Sequence, residues 1–87
     1  MEIKLLRQPY KFIKKSKAPL KIRIVEELEC IALNPKLGKM LSCKLKNVRS
    51  HKFTAAGVHY RIAYRVQNRV LVVLIASREN FYRDLRL

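Results

Sequence analysis

The sequence predicts an α+β fold: an N-terminal strand, a two-helix hairpin packed on an antiparallel sheet of three further strands, and a short C-terminal helical tail. Three observations predict it. Tyr60, Ile62, Tyr64 and Val66 alternate with Arg61, Ala63, Arg65 and Gln67, which is the period of a strand with one buried face. Val70 to Ala76 is apolar at every position, the pattern of a strand covered on both sides, and Gln67-Asn68-Arg69 between the two runs is short enough for a hairpin. Leu20, Ile24, Leu28 and Ile31 recur at helical spacing, with Val25 and Ala32 widening the stripe.

Taken in order, Ile3, Leu5 and Leu6 around Lys4 form a short first strand that Pro9 helps to close. Tyr10 to Lys17 sets Phe12 and Ile13 among Lys11, Lys14, Lys15 and Lys17, a short helix with a basic face. Ser16 to Pro19 breaks it, and Pro19 starts a second helix, where its missing N–H would lack a partner in any case. Asn34-Pro35 ends that helix, Asn34 to Gly38 is a loop, and Met40 and Leu41 dock back on the core. Leu45 to Thr54 supplies a strand and Ala55 to His59 a turn containing Gly57, after which the central hairpin follows. That hairpin carries Arg61 and Arg65 outward on one strand and delivers Arg78 and Tyr82 just beyond the end of the other.

Eighty-seven residues make a single domain, 1–87, with enough apolar content for a core. The formal net charge of +14 exceeds what solubility asks for and points to a polyanionic partner. Its distribution sharpens this. From Ile31 through Arg78 there are lysines and arginines and no carboxylate, while half of the acids sit together at Glu26, Glu27 and Glu29. A carboxylate-bound magnesium site is therefore not expected, and two His with two Cys show no zinc spacing, so neither metal nor other cofactor is predicted. Cys30 reads as a small hydrophobe on a helix, and two cysteines make no disulfide framework. With no leading signal segment and no apolar run of membrane-spanning length, a reducing, cytoplasmic setting is expected, without membrane contact.

At this point the sequence resembles a known family. The order of elements, the Asn34-Pro35 loop ending in Met40-Leu41, the Tyr60-Arg61-Ile62-Ala63-Tyr64-Arg65-Val66 strand and the terminal Arg78-Glu79-Asn80-Phe81-Tyr82-Arg83 are similar to the RelE/ParE superfamily of bacterial toxins from toxin–antitoxin modules. The resemblance covers essentially the whole chain and implies a RelE-like fold. In that superfamily the RelE branch cuts messenger RNA in the ribosomal A site and the ParE branch poisons DNA gyrase. Metal-free RNA cleavage uses the neighbouring 2′-hydroxyl as nucleophile, and it needs a proton acceptor, cations on the developing charge and a donor to the leaving oxygen.

Carried over residue by residue, the resemblance makes Lys52 the strand lysine that acts on the nucleophile and Arg61 the arginine on the phosphate. Arg78 falls where the family has an arginine near the end of the last strand, and Tyr82 matches the tyrosine that stacks on a base or exchanges a proton. Lys44, Lys46, Arg49, His51 and Arg65 are expected to contact RNA around them. Thr54 and Ala56 stand where the best-known ribosome-dependent members have basic residues, and the arginine spacing before Tyr82 differs. His51 or His59 can replace a lost base with a group that titrates nearer neutrality.

Each residue also has a plain structural role open to it. Arg61 and Arg65 fit the solvated face of a sheet, Tyr60 and Tyr64 fit the core because they share a face with Ile62 and Val66, and the Lys-rich first helix fits either a solvated surface or a phosphate-steering one. Three functions stay open. The preferred one is a ribosome-dependent or free endoribonuclease toxin of the RelE type; the others are a ParE-like gyrase inhibitor and a catalytically silent nucleic-acid binder. The resemblance further implies an acidic, partly disordered antitoxin as partner and no small-molecule substrate.

Overall fold

The computed structural model describes residues 1–41 and 47–85. Its elements are β1 (Ile3–Leu5), α1 (Arg7–Lys15), α2 (Leu20–Leu33), β2 (Lys39–Met40), β3 (Val48–Ala55), β4 (Val58–Val66), β5 (Val70–Ser77) and α3 (Arg78–Asp84). They build one sheet in the order β1-β5-β4-β3-β2, with β1 parallel to β5 and every other pair antiparallel. The predicted α+β architecture is therefore present, and a two-residue edge strand, β2, is added just after the expected loop, where Met40 was expected to dock on the core.

The alternation in β4 places Ile62 and Tyr64 in the main core, with Tyr60 and Val66 packed at its margin. The same core takes Ile24, Leu28 and Ile31 from α2 and is flanked by Phe12 and Ile13 from α1, so both helices lie on one face of the sheet. Ala63 points the other way into a smaller cluster with Val48, Leu74, Ala76 and Phe81, which α3 closes from the opposite face. The apolar run of β5 serves both clusters, and a register shift decides which of its residues goes to which. Ala63 pairs with Leu74 but Tyr64 with Val72, leaving Val73 as a bulge. An unbroken period of two would put Val72, Leu74 and Ala76 on one face; the bulge turns Leu74 and Ala76 to the second cluster while Val70, Val72 and Ile75 stay with the first.

Several expected details are corrected. The first helix begins at Arg7, and Pro9 does not close a strand: it is the third helical residue, where a missing N–H leaves no intrahelical bond unmade. Just ahead of it, the Gln8 side-chain amide donates to the Ile75 carbonyl (2.8 Å) and accepts from the Ile75 N–H (2.9 Å), continuing the pairing of β5 where β1 has ended. Val25, Met40 and Cys30 are exposed, outside the apolar stripe and core assigned to them, although Leu41 packs beside the second cluster. Strand β3 is seen from Val48 and runs to Ala55; Leu45, where it was expected to begin, lies outside the described residues. The turn before β4 is two residues, Ala56 and Gly57, both at positive φ (50° and 77°), the geometry that matches the twist of a tight hairpin.

The loop after α2 is fixed from below. The fully buried Tyr64 hydroxyl donates to the Pro35 carbonyl (2.8 Å) and accepts from the Gly38 N–H (2.7 Å), while Arg49 Nη1 donates to the Gly38 carbonyl (2.7 Å). Burial pushes the Tyr64 phenol above its ordinary 10, against the opposing pull of the Gly38 N–H and the Arg49 charge, so the hydroxyl keeps the proton it donates. Glycine is required at position 38 by space, since a Cβ there would meet the Tyr64 hydroxyl at 2.7 Å. Gly38→Ala is expected to destabilise the fold by about 1–3 kcal/mol through overpacking, measured as a lowered urea midpoint. A change within about 0.5 kcal/mol would show that the loop lifts off Tyr64 without penalty.

Candidate nucleic-acid interface

Strands β3 and β4 pair without interruption, so their register fixes which side chains share a surface. Val48 faces Arg65, Ser50 faces Ala63, Lys52 faces Arg61 and Thr54 faces His59. These rungs all lie on the face away from α1 and α2, because the alternate residues Ile62 and Tyr64 occupy the main core. Helix α3 covers part of this face, packing on β5 and β4. It starts directly after Ser77 and buries Phe81 completely, which leaves Arg78 at the sheet end and Tyr82 60% exposed.

The Arg61 guanidinium lies over two aromatic rings of α3, 5.8 Å from the Phe81 centroid and 5.6 Å from that of Tyr82. Phe81 and Tyr82 themselves meet edge to face at 5.1 Å. The buried ring therefore holds the exposed one beside the cation. Lys52, Thr54, His59, Arg61 and Arg78 line a hollow of about 540 Å³ next to this group. None of Lys52, Arg61, Arg65 and Arg78 pairs with a carboxylate among the described residues.

The arrangement carries a cost that an anion would relieve. Lys52 and Arg61 are like charges directly across a strand pair, which destabilises by a few tenths of a kcal/mol up to about 1 kcal/mol. Arg61 Nε and Arg65 Nε, together with Ser50 Oγ, are buried and have no hydrogen-bond partner among the described residues. Buried donors are normally satisfied, so these unpaired ones set this face apart from the helical one.

Four of the residues expected at the site, Lys52, Arg61, Arg78 and Tyr82, are brought together, with Arg65 two rungs along the same face. Two are not. Arg49 lies on the helical face, spent on the carbonyl of Gly38. His51 is also on that face, with Nε2 2.6 Å from Glu27 Oε1, while the other Glu27 oxygen accepts from Arg23 Nη1 at 3.0 Å. Neither shares the face of Lys52 and Arg61. Lys44 and Lys46 lie outside the described residues. Tyr60 packs between Phe12 and Phe53, as its shared face with Ile62 implies. His59 was assigned to a turn; because the turn ends at Gly57, it instead joins the face of Arg61. Among the described residues, no three His, Cys, Asp or Glu side chains gather in a metal-holding group, and no helix is long and apolar enough to cross a membrane.

Residues 3–86 match the family model described as a ParE-like toxin of type II bacterial toxin–antitoxin systems. The chain belongs to this family. No curated protein sequence matches this ParE-like toxin. Its fold matches the isolated E. coli RelE toxin with a TM-score of 0.71 at 18% identity, covering 95% of this chain and 92% of that one. It also matches a chain of the intact E. coli RelBE toxin–antitoxin complex, with a TM-score of 0.69 at 15% identity over 86% of this chain and 93% of that one. At such identities the likeness shows a shared RelE fold.

The Glu27 pair ties α2 to the back of the site, since Arg23 also donates to the Thr54 carbonyl (3.2 Å). Partial burial works to raise the Glu27 carboxyl, but the hydrogen bonds and charges of His51 and Arg23 outweigh it and hold the group below its ordinary 4.5. A carboxyl lowered on folding contributes stability above its unfolded value, and that contribution is lost as pH falls through the folded one. Wild-type stability is thus expected to decline on acidification below about pH 4.5. Glu27→Gln should remove this part of the pH dependence and cost about 1–3 kcal/mol at pH 7, both read from urea unfolding across pH.

Proposed function

We propose that this ParE-like toxin is a metal-independent endoribonuclease that inhibits translation by cutting messenger RNA on the ribosome. The observation that carries this reading is a hollow lined by Lys52, Arg61 and Arg78 and, among the described residues, by no carboxylate, beside which the Arg61 guanidinium lies over the exposed Tyr82 ring. A phosphodiester seated there would receive the Arg61 and Arg78 guanidiniums on its non-bridging oxygens, stabilising the charge that grows as the 2′-oxygen attacks. Tyr82 offers a π-face to the adjoining base, an interaction worth about 1–3 kcal/mol per base in single-strand binding. Lys52, across the ladder from Arg61, adds a third cation to the reacting phosphate. The remaining arginine on the face, Arg65, continues the track for the strand's next phosphate.

The neutralising partner is an acidic antitoxin. The E. coli relative is found in a complex of toxin with antitoxin, and the present chain couples its strong positive charge with apolar side chains left exposed on α2, Ile22, Val25 and Leu33. A disordered acidic segment that folds on contact would cover these side chains while balancing the charge. Gyrase inhibition is the second reading, favoured by the ParE-like character of the matching family model.

Induced expression of the wild type and of Arg61→Ala in a bacterium, with primer extension along an abundant messenger during translation, separates these. Cuts at codon positions in the wild type, reduced about 100-fold or more in Arg61→Ala, are the expected result. Growth arrest with intact messengers and accumulating DNA breaks would replace the endoribonuclease with the gyrase inhibitor.

A further inference from the structure

Accepting a proton is the one requirement of RNA cleavage that a protonated lysine or arginine does not meet, and the candidate face holds a side chain suited to it. His59 is the second residue of β4, exposed, opposite the short Thr54. It makes no side-chain hydrogen bond and no ion pair to the described residues, unlike His51, whose ring is tied to Glu27. It lines the hollow that holds Lys52 and Arg61, and also a second hollow of about 550 Å³ with Ser77, Arg78 and Glu79. His59 and Arg78 thus stand where the two meet. A single strand laid across them would set successive nucleotides in the two hollows and the phosphate that joins them on the ridge.

The groups facing His59 decide what it can do. From β3 come Lys52 and Thr54, from its own strand Arg61, and from α3 Arg78 and Glu79. Lysine and arginine are protonated at neutral pH and hold no lone pair for an incoming proton, whereas imidazole changes charge between pH 5 and 8. Glu79 lines only the second hollow, away from Lys52 and Arg61. Lys52 and His59 are diagonal neighbours on the strand pair, a relation that separates the two residues by roughly 7–8 Å, their Cβ atoms somewhat less. That gap brackets a phosphate whose attacking and leaving oxygens lie in line, with Arg61, opposite Lys52, beside the non-bridging oxygens.

We infer that His59 is the proton acceptor of this site, a role that rests on the endoribonuclease reading above. The 2′-hydroxyl loses its proton to an imidazole nitrogen of His59 as its oxygen bonds to phosphorus. The bond from phosphorus to the 5′-oxygen breaks, and that oxygen takes a proton from the Lys52 ammonium. The products are a 2′,3′-cyclic phosphate and a 5′-hydroxyl; His59 is left protonated and Lys52 neutral, and exchange with water restores both. This places Lys52 at the leaving group and His59 at the nucleophile.

The test is cleavage of a translated messenger in a reconstituted translation reaction from pH 6 to 8.5, with wild type, His59→Ala, His59→Gln, Glu79→Gln and Arg61→Ala, beside RNA affinity for each. His59→Ala and His59→Gln should cut about 100-fold more slowly or worse at pH 7 while binding RNA as the wild type does. They should also lose the rise of rate with pH that the wild type shows below neutrality, and added imidazole should restore part of the activity of His59→Ala. Glu79→Gln should keep the wild-type profile. Cleavage by both His59 variants within about threefold of wild type with an unchanged profile, while Arg61→Ala is inactive, would overturn the role of His59 and leave the endoribonuclease standing. A loss of rate matched by an equal loss of RNA affinity would overturn it likewise. No cleavage by the wild type would remove both.

Discussion

Register in β4 governs the molecule. The strand lies between β3 and β5, so its backbone is committed on both edges, and its side chains divide strictly between two faces. A slip of one residue would carry Arg61 and Arg65 into the space of Ile62 and Tyr64, exchanging two fully buried apolar groups for two charges. The main core therefore dictates where the cations stand. Because β3 pairs with β4 over its whole length, the same constraint sets Lys52 opposite Arg61 and Thr54 opposite His59.

The other face has to be covered, but not completely. Ala63, Leu74 and Ala76 need an apolar lid, and the Val73 bulge is what turns the last two of them to that side. Helix α3 supplies the lid through Phe81 and is short enough to stop there. Beyond it Arg61 and Arg65 are half-buried, and the Nε of each is desolvated without a partner among the described residues. The fold thus holds its charged groups in a state that a polyanion improves. On the helical face Glu27 bridges Arg23 and His51, and Arg49 caps the loop over Tyr64.

Much of this was legible in residue patterns. The alternation from Tyr60 to Val66 revealed the two faces of β4, the helical spacing from Leu20 to Ile31 revealed the buried side of α2, and the carboxylate-free stretch marked the basic surface. Alternation also held information about His51: one residue from Lys52 on a strand, it had to point the other way. What no pattern could disclose was tertiary. An apolar run such as Val70 to Ala76 contains no mark for a bulge, so which of its residues served which cluster was hidden. Pro9 looked like a strand terminator because proline's tolerance in a first helical turn depends on where the helix starts, and Arg7 and Gln8 do not announce that. His59 was hidden by the length of the turn: only a two-residue link at Ala56-Gly57 places it on the face of Arg61. Gly38 is demanded by Tyr64, a partner remote in sequence.

The RelE fold and membership of the ParE-like family fit a protein whose chemistry is positioning and charge, with a rigid sheet presenting cations and a short helix presenting an aromatic ring. The most direct test of that account is to map where RNA lands, by following backbone amide resonances as a short single-stranded RNA is added. The account requires shifts at Lys52, His59, Arg61, Arg78 and Tyr82, with the amides of α2 between Arg23 and Glu29 unmoved. Shifts confined to α1 and α2 would contradict it and transfer the binding surface to the helical face.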